Sequence, residues 1–398
     1  MKIIKSYKYK LYNNLRRNDV LIKDIELYSD VYNHCVALHN RYYKIYKKFL
    51  GKYDLQKHLT KIKHKYMPEW ERLGSQAIQD ITDRLDKSYK QFFSNLKKKM
   101  RCSPPSSKNK HKYKSFTLKQ AGYKLDQENG EITINKKKYK YFNSRVFDGN
   151  IKTLTVKRNH QGEIYIIFSV EQEIEIKVGF ETGKIAGFDF GLKTFLVDSD
   201  GKEYVSPQYL NESYDKLKLL SRRLSKKKKG SKNRRKAILQ LNSLYDKVVN
   251  QRNDWQQKTA LQLVKSFDVI CLESLSFIQM QKSQNNTKKA NKKRARKTLD
   301  LSPGSFYEKV KYKAAEYGKQ VIFINRWFPS TQICNECSFV VGKLDESIRE
   351  WTCPDCGAHH NRDHNAAKNI LREGTSSLGI GNVRLEQDSN VKFKQFPF

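Results

Sequence analysis

The pattern of apolar and polar positions changes its period along the chain. Across residues 24–100, apolar residues recur at intervals of three and four, which predicts helices. The clearest stripe begins with Ile78, Ile81 and Leu85. Because a stripe of this kind is typical of a buried helix face, we interpret it as core packing and give it no functional role.

On either side of this helical region the period is two. The first residues, MKIIKSYKYKLY, alternate Tyr and Leu with Lys, which predicts a strand. After a breaker segment at 101–112, the runs 131–134, 152–156 and 164–170 are separated by turn signals such as Asn-Gly and Asp-Gly. Several short strands in close succession indicate a small barrel or a sandwich.

Strands and helices alternate in the second half of the chain, with a long polar helical stretch after the first strands. Residues 281–297 contain almost no apolar side chain, so we expect a mobile loop or linker there. The other predicted elements are strands at 184–191, 268–275 and 319–325, a hairpin at 194–205 and a helix at 304–318.

Charge identifies the partner more sharply than pattern does. The 398 residues suggest two or three domains, and they carry 79 Lys and Arg against 41 Asp and Glu, a formal charge of +38. Such a chain needs a polyanion, and nucleic acid is the usual one. A membrane surface is the alternative, but there is no apolar run of transmembrane length and no signal peptide, so we expect a cytoplasmic protein.

Two basic runs, KKKK at 226–229 and KKRARK at 292–297, leave two interpretations open. They could be solvated faces or a flexible linker, or they could contact phosphates without sequence preference. The basic character of the whole chain favours phosphate contact.

Four of the seven cysteines form two tight pairs with the spacing C-x2-C-x15-C-x2-C. This spacing predicts a metal site instead of a disulfide framework, and therefore a reducing compartment. Four sulfur ligands fill a tetrahedral zinc site, which should be closed and structural. His359 and His360 are nearby and could compete as ligands. The predicted zinc ligands are Cys334, Cys337, Cys353 and Cys356.

Three acids stand where an acid is unexpected. Asp189 and Glu273 each interrupt an apolar strand, which is costly unless a salt bridge, solvent or a bound cation compensates the charge. Asp363 begins the stretch DHNAAKNIL, where the local pattern favours an ordinary helix cap. Carboxylates gathered from two strands and a late helix can instead hold two Mg2+ ions for phosphodiester hydrolysis.

At this point a resemblance becomes specific. The chain resembles the TnpB family, transposon-associated RNA-guided DNA nucleases related to miniature type V CRISPR effectors. The resemblance implies a RuvC-like catalytic triad of Asp189, Glu273 and Asp363, so the cap interpretation of Asp363 gives way to a catalytic one. The motifs that carry it are GFDFGLK (187–193), CLESL (271–275), FPSTQICNEC (328–337), CPDCG (353–357) and NRDHNAAKNI (361–370).

The resemblance also implies an architecture: a multidomain α+β protein with an RNase H-like (RuvC) nuclease domain, an inserted zinc ribbon, a helical recognition lobe and a small β-barrel wedge domain. The expected segments are 1–12 (first wedge strand), 13–112 (recognition lobe), 113–180 (wedge barrel), 181–325 (first part of the nuclease), 326–360 (zinc ribbon), 361–373 (final nuclease helix) and 374–398 (disordered tail).

Function follows from the same resemblance. It implies an Mg2+-dependent DNA endonuclease, encoded by a transposable element, that acts as a monomeric ribonucleoprotein with a guide RNA on double-stranded DNA, at the nucleoid of a bacterial cytoplasm. Base pairing would supply most of the specificity, and the protein would recognise a short flanking motif. The alternatives are a non-cleaving RNA-guided repressor, a zinc-ribbon RNA-binding protein and a transposase that joins DNA ends. The intact set of three acids favours cleavage.

Overall fold

A computed structural model describes residues 2–13, 15–173, 181–274, 288–342, 344–345 and 347–376. The chain divides into two compact units, residues 1–174 and 175–398. Each unit combines helices with β-sheet, so the predicted mixed α+β class is confirmed. Among the described residues, no helix is both long enough and apolar enough to cross a membrane.

Three long helices occupy the region of unit 1 where apolar residues recur at three and four. They are α1 (Leu15–Tyr46), α2 (Lys52–Lys65) and α3 (Ser75–Lys97), with a short 3-10 helix at Pro68–Leu73 between the last two. The predicted stripe on α3 is buried, since Ile81 and Leu85 are fully inaccessible and belong to the core of this unit.

The strands of unit 1 form two antiparallel sheets, ordered β1-β7-β6-β2 and β3-β4-β5. The N-terminal strand pairs along its whole length with β7, and an isolated bridge between Leu11 and Tyr141 links the sheets. Within the described residues these ladders do not close into a ring, and the two sheets share one core, as in the sandwich that the strand pattern left open beside a barrel. The strands are β1 (Lys2–Lys10), β2 (Ser115–Leu118), β3 (Tyr123–Asp126), β4 (Glu131–Ile134), β5 (Lys137–Lys140), β6 (Asn150–Arg158) and β7 (Ile164–Glu173).

Unit 2 is built on one five-stranded sheet with the order β10-β9-β8-β11-β12. The first three strands form an antiparallel meander, and β11 and β12 add to it in parallel. The strands are β8 (Ile185–Phe190), β9 (Leu196–Asp198), β10 (Glu203–Tyr204), β11 (Val269–Glu273), β12 (Gln320–Ile324), β13 (Glu350–Thr352) and β14 (His359–Asn361). The helices are α4 (Tyr209–Glu212), α5 (Tyr214–Ser225), α6 (Lys232–Ser266), α7 (Lys288–Leu301), α8 (Pro303–Glu316) and α9 (Arg362–Ser376).

Helices cover both faces of this sheet. Side chains of α6 and α8 form one core with strand residues such as Phe188 and Leu272. On the other side, Ile370 and Leu371 of α9 pack with Cys271. Residues buried on both faces explain why β8 and β11 are nearly continuous apolar runs in the sequence.

Two glycines allow α9 to approach the sheet closely. A Cβ atom at Gly187 of β8 would lie 2.2 Å from the carbonyl oxygen of Ala367, and one at Gly374 would lie 2.4 Å from the sulfur of Cys271. No side chain tolerates such distances, so the close packing of α9 on the sheet requires glycine at both positions. The middle of α9 is thereby held against β8, and its last turn against β11.

The prediction of a loop at 281–297 is wrong for the part that the structure describes. Residues 288–297 belong to α7, and residues 281–287 lie outside the described part of the chain. The end of α7 is anchored by burial: Leu301 is in the core, and the buried carboxylate of Asp300 accepts the backbone amides of Leu210 and Asn211 at 3.0–3.1 Å. Residues 374–376 of the expected disordered tail (374–398) are the end of α9, and residues 377–398 lie outside the described part of the chain.

Candidate metal centres and a basic hairpin

The two cysteine pairs form matching turns. In each turn, the amide four residues on donates to the carbonyl of the first cysteine: Ser338 to Cys334 at 2.9 Å, and Gly357 to Cys353 at 3.0 Å. The short strands β13 and β14 pair and hold the second turn between them. Each turn therefore presents two sulfurs on the same side.

The four sulfurs meet at one point. They all lie within 4.8 Å of one another, with 3.7 Å between Cys334 and Cys356 and 3.6 Å between Cys337 and Cys353. Sulfurs bound tetrahedrally to zinc at about 2.3 Å are about 3.8 Å apart, so these distances fit a closed zinc site. The predicted set of four cysteines is brought together.

His360 lies beside the four sulfurs. It is buried against the ring of Trp351, and its Nε2 atom lies 3.1 Å from the sulfur of Cys334. Burial lowers the pKa of His360, so the neutral ring can donate a hydrogen bond to that sulfur. His359 is exposed, and neither histidine belongs to the group of four cysteines whose sulfurs lie within 4.8 Å of one another.

Two buried asparagines tie the cysteine region to α9. The side-chain amide of Asn369 donates to the carbonyl oxygens of Ser330 and Ile333 at 2.8 and 2.7 Å. The side chain of Asn365 donates to Ile333 at 2.7 Å and accepts the amide of Asn335 at 3.0 Å. The two asparagines are four residues apart and share an apolar helix face, a sequence pattern that indicates buried hydrogen bonds and that the sequence analysis missed.

Asp189 and Glu273 lie at the same end of two adjacent strands. Strands β8 and β11 are parallel, with Phe188 opposite Leu272, and each acid is the next residue along. Asp189 is only 8% exposed and Glu273 is partly buried. The structure therefore brings together two acids that are 84 residues apart in sequence.

Both carboxyl groups resist ionisation. Burial, followed by the negative charges of Asp363 and Glu273, raises the pKa of Asp189 to about 8. Burial also raises the pKa of Glu273 to about 7. Tyr307 of α8 is electrostatically coupled to both acids, and burial raises its pKa well above the ordinary value. No sequence signal pointed to this tyrosine, because it occupies an ordinary core position of its helix.

Asp363 is not the cap of α9. The side-chain oxygen of Asn361 accepts the backbone amides of Asp363 and His364, both at 3.1 Å, and so caps the helix. The carboxylate of Asp363 is held instead by Arg349 at 2.5 Å and by Arg362 at 3.1 Å. The local cap interpretation is wrong, and Asn361 and the two arginines are residues that the sequence analysis missed.

The three acids form one electrostatic cluster but not one ligand set. Among the described residues, the cysteines are the only group of three or more His, Cys, Asp or Glu side chains close enough to share a metal ion. The all-oxygen donors of Asp189 and Glu273 suit Mg2+, whose charge would offset the cost of ionising them. Asp363 contributes its negative charge to this cluster, while its carboxylate pairs with Arg349 and Arg362.

A pair of consecutive helices carries a high positive charge. Residues 216–245, which we call the basic hairpin, span most of α5, its loop and the start of α6, and contain eight Lys, four Arg and no Asp or Glu. None of these twelve cations forms a salt bridge with another described residue. Arg234 fixes the loop by donating to the carbonyl oxygens of Leu224 and Lys227. The lysines at 226–229 are all exposed.

Two family models match the chain. One, described as "Probable transposase", matches residues 168–284, which include Asp189 and Glu273. The other, described as "Cas12f1-like, TNB domain", matches residues 304–370, which include the four cysteines and Asp363.

Curated relatives agree with these models. The chain is 32% identical over 239 residues to "Putative RNA-guided DNA endonuclease" of Streptomyces pristinaespiralis, covering 60% of this chain and 57% of the relative. It is 28% identical over 362 residues to "Putative RNA-guided DNA endonuclease InsQ" of Escherichia coli, covering 89% and 88%. It is 29% identical over 234 residues to "TnpB-like protein L79" of Acanthamoeba polyphaga mimivirus, covering 56% and 43%. The chain thus spans about half the length of the first and third.

A solved structure shares the fold. The chain of a Cas12f1-sgRNA-target DNA complex determined by cryo-EM aligns with a TM-score of 0.55, over 93% of this chain and 99% of that one. At 14% identity, this likeness concerns the fold alone.

Proposed function

The chain belongs to the TnpB family, and from that premise we propose that it is an RNA-guided, Mg2+-dependent endonuclease of double-stranded DNA. One observation carries the proposal: Asp189 and Glu273 stand at the same end of two parallel strands, with both pKa values raised. Paired buried carboxylates are costly, and a hydrolytic metal site is a function that requires them. The meander followed by parallel strands supports an RNase H-like, RuvC-type domain.

The proposed site residues have distinct roles. Asp189 and Glu273 hold the metal from the sheet, and Asp363 completes the set from α9. Mg2+ bound there supplies an activated water and neutralises charge on the phosphate. Arg349 is partly exposed, so a DNA phosphate can take it over from Asp363 and leave that carboxylate free. The four cysteines hold structural zinc that fixes the ribbon beside α9.

Recognition is assigned to the remaining segments. We propose that 13–112 acts as a recognition lobe and that 1–12 with 113–180 acts as a wedge-like domain. The nuclease comprises 181–325 and 361–373, interrupted by the ribbon at 326–360. One chain carries one guide RNA, whose pairing with DNA supplies sequence specificity, while the protein recognises a short flanking motif and the shape of the heteroduplex.

The test begins with the RNA that copurifies with the protein. After sequencing, a plasmid that carries the matching target is incubated with the complex in Mg2+ or in EDTA. We expect cleavage in Mg2+ only, and none with Asp189→Ala. Target binding without cleavage by the wild-type complex would instead identify a repressor. RNA binding without any DNA binding would identify a zinc-ribbon RNA-binding protein, and joined DNA ends would identify a transposase.

A further inference from the structure

The helices of unit 1 end in an exposed aromatic surface. At the end of α1, Tyr43 and Tyr46 are 60% and 58% exposed; in the following loop Phe49 is 42% exposed; near the end of α3, Phe93 is 41% exposed. We call these four side chains the aromatic tip. Large apolar groups that cluster on a surface mark an interaction site more often than an accident of packing.

The rings of the tip rest on neighbouring side chains. Tyr43 and Tyr46 are three residues apart on one helix, so they share a face. The ring of buried His39, one turn before Tyr43, lies 4.9 Å from the ring of Phe49, and Phe49 lies 5.7 Å from Phe93. These contacts hold Phe49 and Phe93 in place, while Tyr46 packs against Tyr42 at 4.7 Å and Lys47 lies 5.7 Å from the ring centre of Tyr43.

The charge around the tip excludes one partner. Residues 41–49 and 93–101 contain eight Lys and Arg and no Asp or Glu. None of these cations forms a salt bridge with another described residue. A second copy of the chain docked on the same surface would place these cations against one another, so the tip is not a face for self-association.

We propose that the aromatic tip binds unpaired nucleotides of RNA. The ring faces can stack on bases, and the surrounding lysines can contact the phosphates that link them. A duplex hides its base faces inside the helix, so it would use the lysines and leave the rings without partners. Rings and cations together therefore point to a single strand.

The assignment to RNA, and not to a displaced DNA strand, rests on the proposed function. Exposed rings promote aggregation, and unpaired like charges repel one another, so the surface needs a partner whenever the protein is present. In a guided nuclease that constant partner is the RNA, whereas a displaced DNA strand exists only after target opening.

Binding of the full chain to a fluorescent polyuridine RNA of about 20 nucleotides tests the surface, in enough salt to suppress nonspecific contacts. We expect Tyr43→Ala with Tyr46→Ala to weaken binding about ten-fold or more. Tyr43→Phe with Tyr46→Phe should bind like wild type, since stacking needs only the ring. Tyr66→Ala removes an equally exposed tyrosine (64%) outside the tip and should have no effect.

Three results would overturn the proposal: unchanged affinity in the double alanine variant, an equal loss of affinity for a duplex RNA of the same length, or binding of anionic vesicles that depends on both tyrosines.

Ultraviolet crosslinking of the complex purified from cells tests the source of the strand. We expect a ribonucleotide adduct on residues 41–49, and a deoxyribonucleotide adduct there would refute the RNA assignment. These assays use no divalent metal and no cleavage, so their failure is separable from failure of the nuclease proposal.

Discussion

The side-chain oxygen of Asn361 accepts the backbone amide of Asp363 at 3.1 Å, so the residue two positions before the acid caps the final helix. This contact frees the carboxylate of Asp363 from a capping role, and Arg349 and Arg362 hold it instead. Capping and the proposed metal binding therefore belong to different side chains and can be separated by mutation.

Asp363→Ala should abolish DNA cleavage while leaving folding and target binding intact, because the cap survives and guided nucleases separate binding from cutting. Cleavage assays in Mg2+ and gel shifts with RNA and target measure the two steps. Cleavage at near wild-type rate in this variant would remove Asp363 from the proposed site.

Asn361→Ala is the matched control. Loss of a side-chain cap costs about 0.5–2 kcal/mol of stability, but the three acids remain. Denaturant unfolding should therefore show a small loss, and the variant should still cut at low temperature. If Asn361→Ala abolished cleavage in a fully folded protein, the cap itself would be needed to place Asp363.

Asp189 should make the metal-free protein less stable as pH rises. Its pKa is about 8 when folded, against about 3.9 for an unfolded Asp, so the folded state holds an extra proton between these values. The free energy of unfolding then falls with increasing pH, by up to about 1.4 kcal/mol per pH unit from this group. Glu273, with a pKa raised to about 7, acts in the same direction.

Asp189→Asn should consequently be more stable than wild type at pH 8 in EDTA, with the difference shrinking towards pH 4. Thermal unfolding across this range measures the effect, and Mg2+ should narrow the gap by stabilising only the wild type. Asp254→Asn, which removes an exposed acid of α6, serves as the control for charge. Equal pH profiles for wild type and Asp189→Asn would mean that Asp189 carries its charge without penalty.

The cysteine site and the acid site differ in how far sequence could define them. The spacing of the four cysteines predicts a set that the structure brings within 4.8 Å, because a short turn fixes the geometry of each pair. The acids come from separate strands and a distant helix, so only the fold sets their separation. Strand periodicity located Asp189 and Glu273. No sequence pattern indicated that Arg349 and Arg362 would form salt bridges with the carboxylate of Asp363.

Tertiary contacts explain the errors in secondary structure. Residues 288–297 looked like a linker because they have almost no apolar side chains, yet the helix forms since Leu301 and the buried carboxylate of Asp300 anchor its end. Asn361 was passed over because Asp363 offered an equally good local cap. For α7 the anchoring partners are distant in sequence. For the final helix, the packing of α9 decides which side chain caps it.

Cys353→Ser should lose about one zinc per chain and loosen the region around α9. Four-cysteine sites of this kind bind zinc with about 10–16 kcal/mol in small peptides, and much of that energy supports folding. Elemental analysis measures the zinc content. Cys102→Ser is the control, since this half-buried free cysteine lies in unit 1 and donates to the backbone carbonyl of Phe92. A full complement of zinc in Cys353→Ser would refute the assignment.

Replacing the four lysines at 226–229 with glutamine should weaken nucleic-acid binding in a way that depends on salt. These side chains are exposed, and the loop is held by Arg234 and by the cap at Ser231, so the fold should not change. Each phosphate contact contributes about 0.7–0.9 to the slope of log affinity against log salt. Loss of all four should therefore lower the slope by about three. Replacing the same lysines with arginine keeps the charge and should keep the slope. A glutamine variant with the wild-type slope would show that the lysines are a solvated face and that other cations of the chain contact the polyanion.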